Sequence, residues 1–273
     1  MQAKQGGFSL LELLVVVAII AAIAAGSTAM INSADKNAKA GINADAIDST
    51  FKSIATFKVL NNSYPDYFDS LVGNSAGDLA TADVIKFLSP SLSTMLLSAV
   101  AVSASQLTAL TNVGINHLQV VDTDYCGATT ASATLYFTTK SNKALVGNSF
   151  KVGTGIPTDS ECGASVSVNT AAQLVTLDAA NQGARLNVST TNTIVAFGVG
   201  PSSTLFNANY AGALYRAPQD SSLAIDKYNR YIAFFDTGLD TAPNVTDGAT
   251  LVAVVSARGK TFDEELGIWN GAL

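Results

Sequence analysis

A single carboxylate lies inside a long apolar run near the start of the chain. It belongs to Glu12, and the run from Phe8 to Ile31 contains no other charged side chain. A carboxylate in the middle of a hydrocarbon layer costs about 2.5–3.5 kcal/mol on insertion scales, so it gains most from a cationic partner. This position therefore predicts charge pairing in an apolar environment.

A second set of carboxylates lies close together in the sequence, in a loop between two predicted strands. Asp236, Asp240 and Asp247 are interspersed there with Gly, Thr and Asn. Oxygen ligands that converge from one loop could bind Ca²⁺, although the spacing does not match an EF-hand. The alternative is a solvated turn with aspartate caps. Calcium is the one candidate cofactor, and no other is expected.

The two cysteines, Cys126 and Cys162, offer redox chemistry. An even count in a chain that is expected to be exported favours one intradomain disulfide. Such a bridge would contribute roughly 3–4 kcal/mol in the chain-entropy model. A metal site is a poor alternative, because the chain has one histidine and no CxxC spacing.

Residues for enzymatic catalysis are sparse. The sole histidine, His117, has no serine-centred GxSxG motif or neighbouring acid pattern to support a triad. We expect it to be structural or at the surface. The acidic run Asp263-Glu264-Glu265 is expected to be a solvated face. We therefore predict that the chain is not an enzyme.

Composition narrows the functional class. The 273 residues are 48% hydrophobic and only 13% charged, with a formal net charge of −6. An acidic chain without a basic run is not expected to bind nucleic acid. Low charge with abundant Ala, Ser, Thr, Asn and Gly favours an exported surface protein over a cytosolic enzyme.

The N-terminal segment has three competing interpretations. As a helix, residues 8–31 would span about 36 Å and could cross a bilayer core. A secretory signal would use Ala22-Ile23-Ala24 as its cleavage site, but the apolar run continues beyond it. A plain single-pass anchor explains the hydrophobicity but not Glu12.

The third interpretation accounts for all these features. The string Gly7-Phe8-Ser9-Leu10-Leu11-Glu12-Leu13-Leu14 closely resembles the class III signal of type IV prepilins and type II secretion pseudopilins. The resemblance implies that a prepilin peptidase removes the leader, residues 1–7, by cutting after Gly7, and methylates the new N-terminus, Phe8. It also implies that Glu12 neutralises the N-terminal amine of a neighbouring subunit during assembly.

The sequence departs from this family in one respect. Many pilins have a proline late in the apolar segment, whereas the first proline here is Pro65. Gly26 and Ser27 are the soft spot in the run. Local melting of the helix on assembly, if it occurs, is expected near Gly26.

Beyond the apolar run we predict an α+β fold. Residues 32–60 are expected to continue the helix amphipathically, to about Leu60, with an apolar face that packs on an antiparallel sheet. Residues 61–118 are predicted to be a mostly helical insertion, with one helix around Ser105–Leu110. Residues 119–273 are predicted to be an enlarged β-rich domain. The predicted strands are Leu118–Val121, Ala133–Thr138, Leu174–Leu177, Thr193–Phe197, Tyr231–Phe235 and Leu251–Val255.

These patterns together predict a structural subunit of a type IV pilus-like filament, for surface adhesion or motility. The expected partners are other copies of the chain, prepilin peptidase and an inner-membrane assembly platform. The chain would lie in the inner membrane before assembly, then in an extracellular pilus or a periplasm-spanning filament. One alternative is a minor pilin or pseudopilin of a type II secretion or DNA-uptake system. An alternative of another class is a membrane-anchored periplasmic binding protein or enzyme.

Overall fold

A computed structural model describes residues 10–73, 88–101, 103–121, 149–151, 173–200, 203–207, 228–239 and 248–272. The dominant element is a single helix, α1 (Leu10–Asn61), of 52 residues. At 1.5 Å per residue it is about 78 Å long. It begins at the first described residue and ends where Asn62 adopts a left-handed φ of 53°. The predicted continuous helix to about Leu60 is confirmed.

The two halves of α1 differ in burial, as the sequence pattern predicted. Large side chains of its N-terminal half are exposed, whereas Ile47, Ile54 and Phe57 of the C-terminal half are buried in the core. Ala40 and Ala44 are also buried, so the packed face of α1 extends towards the middle of the helix. The spacing of these residues places one apolar stripe against the domain.

The described residues contain eight strands in one sheet and five shorter helices. The strands are β1 (Phe68–Gly73), β2 (Leu96–Ala101), β3 (His117–Val121), β4 (Ser149–Lys151), β5 (Gln173–Leu177), β6 (Ile194–Gly198), β7 (Ile232–Asp236) and β8 (Thr250–Val255). The shorter helices are α2 (Pro90–Ser93), α3 (Ala104–Asn112), α4 (Ala179–Leu186), α5 (Thr204–Asn207) and α6 (Phe262–Trp269).

The sheet branches at β6. This strand pairs along its whole length with β7, which pairs in turn with β8. Its other edge is shared, because Val195 pairs with Thr176 of β5 and Gly198 pairs with Asp69 of β1. The pairings are antiparallel except that of β1 with β3, which is parallel. The α+β fold class is confirmed, with one parallel pair in the otherwise antiparallel sheet.

Aromatic side chains belong to the same buried cluster as the packed half of α1. Phe68, Phe197 and Phe235 lie with ring centroids 5.6–6.1 Å apart. Tyr64 meets Phe235 edge-on at 5.1 Å. Rings at these distances add about 0.5–1.5 kcal/mol per pair beyond the burial of their area. The core therefore lies where the sequence predicted that the amphipathic half of α1 meets the sheet.

The structure corrects the prediction for residues 61–118. This segment contributes the strands β1 and β2 as well as the helices α2 and α3. Helix α3 matches the helix predicted around Ser105–Leu110. The strand β2 has the sequence Leu-Leu-Ser-Ala-Val-Ala, and periodicity cannot distinguish so short an apolar run from a buried piece of helix. Its pairing with β5 decides the conformation.

Candidate functional site: the apolar half of the first helix

Most of the exposed large hydrophobic side chains among the described residues lie in the N-terminal half of α1. Leu10, Leu14, Ile23 and Met30 expose 82%, 64%, 63% and 77% of their surface. The most apolar 18-residue window of α1 has a mean hydropathy of 2.5, and none of it is buried. Monomeric soluble proteins rarely expose so long an apolar surface, which marks a contact with a membrane or with protein.

By length and composition, α1 is the one helix among the described residues that could cross a membrane. Its polar groups suit that environment. The Ser27 hydroxyl donates to the carbonyl of Ile23 at 2.9 Å, and the Thr28 hydroxyl donates to the carbonyl of Ala25 at 2.9 Å. Because hydrocarbon offers no hydrogen-bonding partner, hydroxyls that bond to their own helix lower the cost of insertion.

Glu12 lies in the first turn of α1 among the described residues, and it is exposed. A negative charge at a helix N-terminus is favoured by the helix dipole, by about 0.3–1 kcal/mol at an exposed site. It is the only charged residue between Leu10 and Ile31. Gly7 and Phe8, the predicted processing site, lie outside the described residues, so their roles remain predictions.

The helix continues without a break across Gly26 and Ser27. No proline interrupts it, and the helical hydrogen-bonding pattern extends to Asn61. The apolar half and the packed half therefore belong to one continuous helix.

The C-terminal helix α6 fixes the packed half of α1. Gly41 permits the approach, because a Cβ there would lie 2.9 Å from Cδ1 of Trp269 and 3.1 Å from its Nε1. Sequence reasoning missed α6. Its signals were present, since Thr261 and Glu264 form a capping box and Phe262, Leu266 and Trp269 recur at helical spacing.

A buried cluster of charged and polar side chains lies beside β6, where the sheet branches. The fully buried carboxylate of Asp69 accepts from the Tyr228 hydroxyl at 2.5 Å and from Nη1 of Arg230 at 2.7 Å. A Cβ at Gly200 would lie only 2.0 Å from Oδ1 of Asp69, so the glycine makes room for the carboxylate. Burial raises the pKa of Asp69 above its ordinary value, and Arg230 opposes this shift.

The expectation of a solvated acidic run in α6 is wrong for Glu265, which is buried, and Glu264 is only partly exposed and is paired. Glu265 is fully buried and pairs with Arg258, and burial raises the pKa of Glu265. Glu264 accepts from Nε and Nη2 of Arg185 at 2.7 and 2.5 Å. Burial acts to raise the pKa of Glu264, but hydrogen bonds from Arg185 and the Thr261 backbone outweigh it, so this pKa is lowered.

His117 has a structural environment. Its Nδ1 lies 2.8 Å from Oδ2 of Asp66, and its ring stacks on Tyr67 at 5.1 Å. Oδ1 of Asp66 accepts from the backbone amides of Asn116 and His117 at 3.0 and 2.6 Å. These bonds fix the start of β3, which agrees with a structural histidine.

Of the three calcium candidates, the described part of the chain includes only Asp236. The Asp236 carboxylate accepts from the Asn192 side-chain amide at 2.8 Å and from the Gly238 backbone at 2.7 Å, as a loop cap would. Asp240 and Asp247 lie outside the described residues. Among those that are described, no group of three His, Cys, Asp or Glu side chains could hold a metal ion. Calcium binding therefore remains a prediction.

The predicted disulfide cannot be located in the structure. Cys126 and Cys162 both lie outside the described residues. Their pairing remains a prediction from composition and expected export.

Comparison with known proteins gives one family match. Residues 2–28 match the prokaryotic N-terminal methylation motif. No curated protein and no solved structure matches the chain. The matched residues include Gly7, Phe8, Glu12 and most of the exposed apolar half of α1. The N-terminus therefore carries this methylation motif, which supports the expectation of a type IV pilin-like or pseudopilin-like precursor.

Proposed function

We propose that the chain is a structural subunit of a type IV pilus-like filament, which acts in surface adhesion or motility. Prepilin peptidase would cut after Gly7, and the processed chain would polymerise through α1. The observation that carries this proposal is the exposed apolar half of α1, which has one charge, Glu12, and is continuous with a half buried against the domain. Such a helix can serve first as an anchor and then as a filament core.

Apolar packing accounts for the cohesion of such a filament. Within a membrane the helix gains little from leaving lipid, because lipid tails are as apolar as leucine side chains. Once the filament is surrounded by water, dissociation would expose those side chains at about 1.5–3 kcal/mol for each fully buried Leu, Ile or Val. The helix therefore moves readily from lipid to filament and leaves the filament with difficulty.

Glu12 would fix how neighbouring helices align. Cleavage after Gly7 would create an amine at Phe8, which lies four residues before Glu12 in the sequence. In an apolar core this amine on one subunit is the natural partner for the carboxylate on another. A buried pair of this kind specifies register more than it adds stability. Assembly would take place on an inner-membrane platform, with extracellular display to follow.

The test is the composition of sheared surface filaments, examined by electron microscopy and by mass spectrometry of the subunit N-terminus. We expect abundant filaments whose subunit begins with methylated Phe8. Scarcity of the chain in those filaments would instead support a minor pilin or pseudopilin. Complete absence of the chain from the filaments would contradict the proposal that it is a filament subunit.

Substitution of Glu12 tests the pairing mechanism separately. Glu12→Gln keeps the side-chain shape and removes the charge, so we expect processing to continue while incorporation into filaments falls. Glu12→Asp is the matched control, since it keeps the charge and should retain more assembly. If Glu12→Gln assembled as well as the unchanged chain, the pairing mechanism would be wrong. A membrane-anchored binding protein or enzyme would not need Glu12.

A further inference from the structure

A groove of about 500 Å³ lies between the middle of α1 and the C-terminal helix α6. Gly41 and Ile42 line it on α1, and Phe262, Leu266 and Trp269 line it on α6. Three of these side chains are well exposed, at 50% for Ile42, 39% for Phe262 and 53% for Trp269. Aromatic and aliphatic side chains that line an open groove suit the apolar side chains of another helix.

The groove continues the exposed surface of α1. Its lining begins at Ala38, seven residues beyond Ile31, or about 10 Å along the helix axis. A second helix that packs parallel to the apolar half of α1 therefore reaches the groove without a bend. At the end of its own apolar run, such a helix would carry Met30 and Ile31, which expose 77% and 65% of their surface.

The charges around the groove complement those that follow the apolar run. Asp45 and Asp48 line the groove, whereas one aspartate and two lysines, Asp35, Lys36 and Lys39, follow Ile31 in the sequence. Lys39 pairs with Asp35 of its own helix at 2.6 Å. Asp48 pairs with Lys52 at 2.6 Å, but both side chains are substantially exposed, and exposed pairs of this kind are weak and readily exchanged. Asp45 and Lys36 are both exposed residues. An acidic rim thus suits a helix that presents lysines beyond an apolar segment.

We propose that this groove receives the α1 helix of a second copy of the chain. Met30 and Ile31 of that copy would lie against Phe262 and Trp269, with its lysines at the acidic rim. This contact rests on the proposed filament function and adds a second interface, made by the domain rather than by the apolar helix alone. The C-terminal helix then takes part in assembly directly.

Site-specific photocrosslinking tests this contact in cells that express the full-length chain. p-Benzoylphenylalanine in place of Trp269 keeps an aromatic ring at the groove. Irradiation of filaments should give a covalent dimer whose crosslinked peptide contains residues 22–39 of the second copy. The control is the same probe at Val59, which is 82% exposed on α1 but does not line the groove. It should give little or no crosslink to that segment.

A charge exchange supplies a second measurement that leaves the aromatic groove unchanged. Asp45→Lys should lower the dimer yield about threefold to fivefold, the size expected for a rim ion pair. Lys36→Asp in the same chain should restore it, because each copy then carries the reversed pair. Loss without restoration would overturn the charge complementarity on which the choice of occupant depends.

The outcomes separate this contact from the filament function. One outcome is that filaments contain the probe at Trp269 and still yield crosslinks only to lipid, to another protein or to other parts of the chain. That result would overturn the groove contact. It would leave the filament function intact. A processed chain that never enters filaments would overturn both.

Discussion

Replacing Gly41 by alanine places a methyl group against the indole of Trp269. The new Cβ would lie 2.9 Å from Cδ1 and 3.2 Å from Cγ of that ring. These atoms are at the base of the indole rather than at its far end, so the whole side chain must move. Trp269 is half exposed, at 53%, and can yield towards solvent at the expense of its packing on α1.

Two opposing effects set the change in unfolding free energy caused by Gly41→Ala. Alanine is preferred over glycine in a helix interior by about 0.8–1.0 kcal/mol. Inserting a methyl into a closely packed contact costs about 1–3 kcal/mol. In the unchanged protein, Gly41→Ala should therefore be neutral or destabilising, by up to about 2 kcal/mol. In a Trp269→Ala background the clash is gone, and the same substitution should stabilise by about 1 kcal/mol.

The measurement is a double-mutant cycle on the full-length chain in mild detergent, with unfolding followed by circular dichroism. The coupling between Gly41 and Trp269 should be about 1–3 kcal/mol. Thr56→Ala is the matched control, because Thr56 is exposed on α1 and alanine is again the better helix former. Its effect should be the same in both backgrounds. Equal stabilisation by Gly41→Ala with and without Trp269 would refute the close packing of α6 on α1.

Two further predictions concern buried polar groups. Asp69→Asn removes the carboxylate that pairs with buried Arg230 and should cost about 3–5 kcal/mol in unfolding free energy. The double variant Asp69→Asn with Arg230→Met should recover much of that stability. Equal losses in the single and double variants would contradict the ion pair. Burial, and then the charges of Glu265 and Asp45, raise the pKa of Tyr231. The folded chain should therefore keep this proton above pH ~10 while the unfolded chain loses it. Stability attributable to Tyr231 is then present below pH ~10 and lost as the pH rises, so Tyr231→Phe should flatten the alkaline decline in an unfolding titration.

Local sequence pattern predicted much of the β-rich part correctly. Three predicted strands match strands β5, β7 and β8 to within one residue at each end: Leu174–Leu177, Tyr231–Phe235 and Leu251–Val255. Each is rich in β-branched or aromatic residues and is bounded by turn residues, which suits a strand wherever it pairs. By contrast, β2 and the three-residue strand β4 depend on their partners. Their pairing with β5 and β3 is a long-range fact that no local pattern contains.

The N-terminal segment is the part that the sequence alone determined. An unbroken apolar run with one acid, Glu12, after a short polar leader indicates a helix long enough to cross a membrane and a carboxylate that gains from a cationic partner. These properties follow from local hydrophobicity and helical rise. The family match at residues 2–28 rests on the same residues.

Only the tertiary structure decided what the remaining carboxylates do. Asp69 and Glu265 are both fully buried beside arginines. Arg230, the partner of Asp69, is 161 residues away in the sequence, whereas Arg258, the partner of Glu265, is seven residues away. The groove between α1 and α6 likewise depends on Trp269 reaching Gly41 across more than two hundred residues. Burial and charge pairing are properties of three-dimensional contact. Sequence pattern fixes which residues can make such contacts, but the packing of distant segments chooses among them.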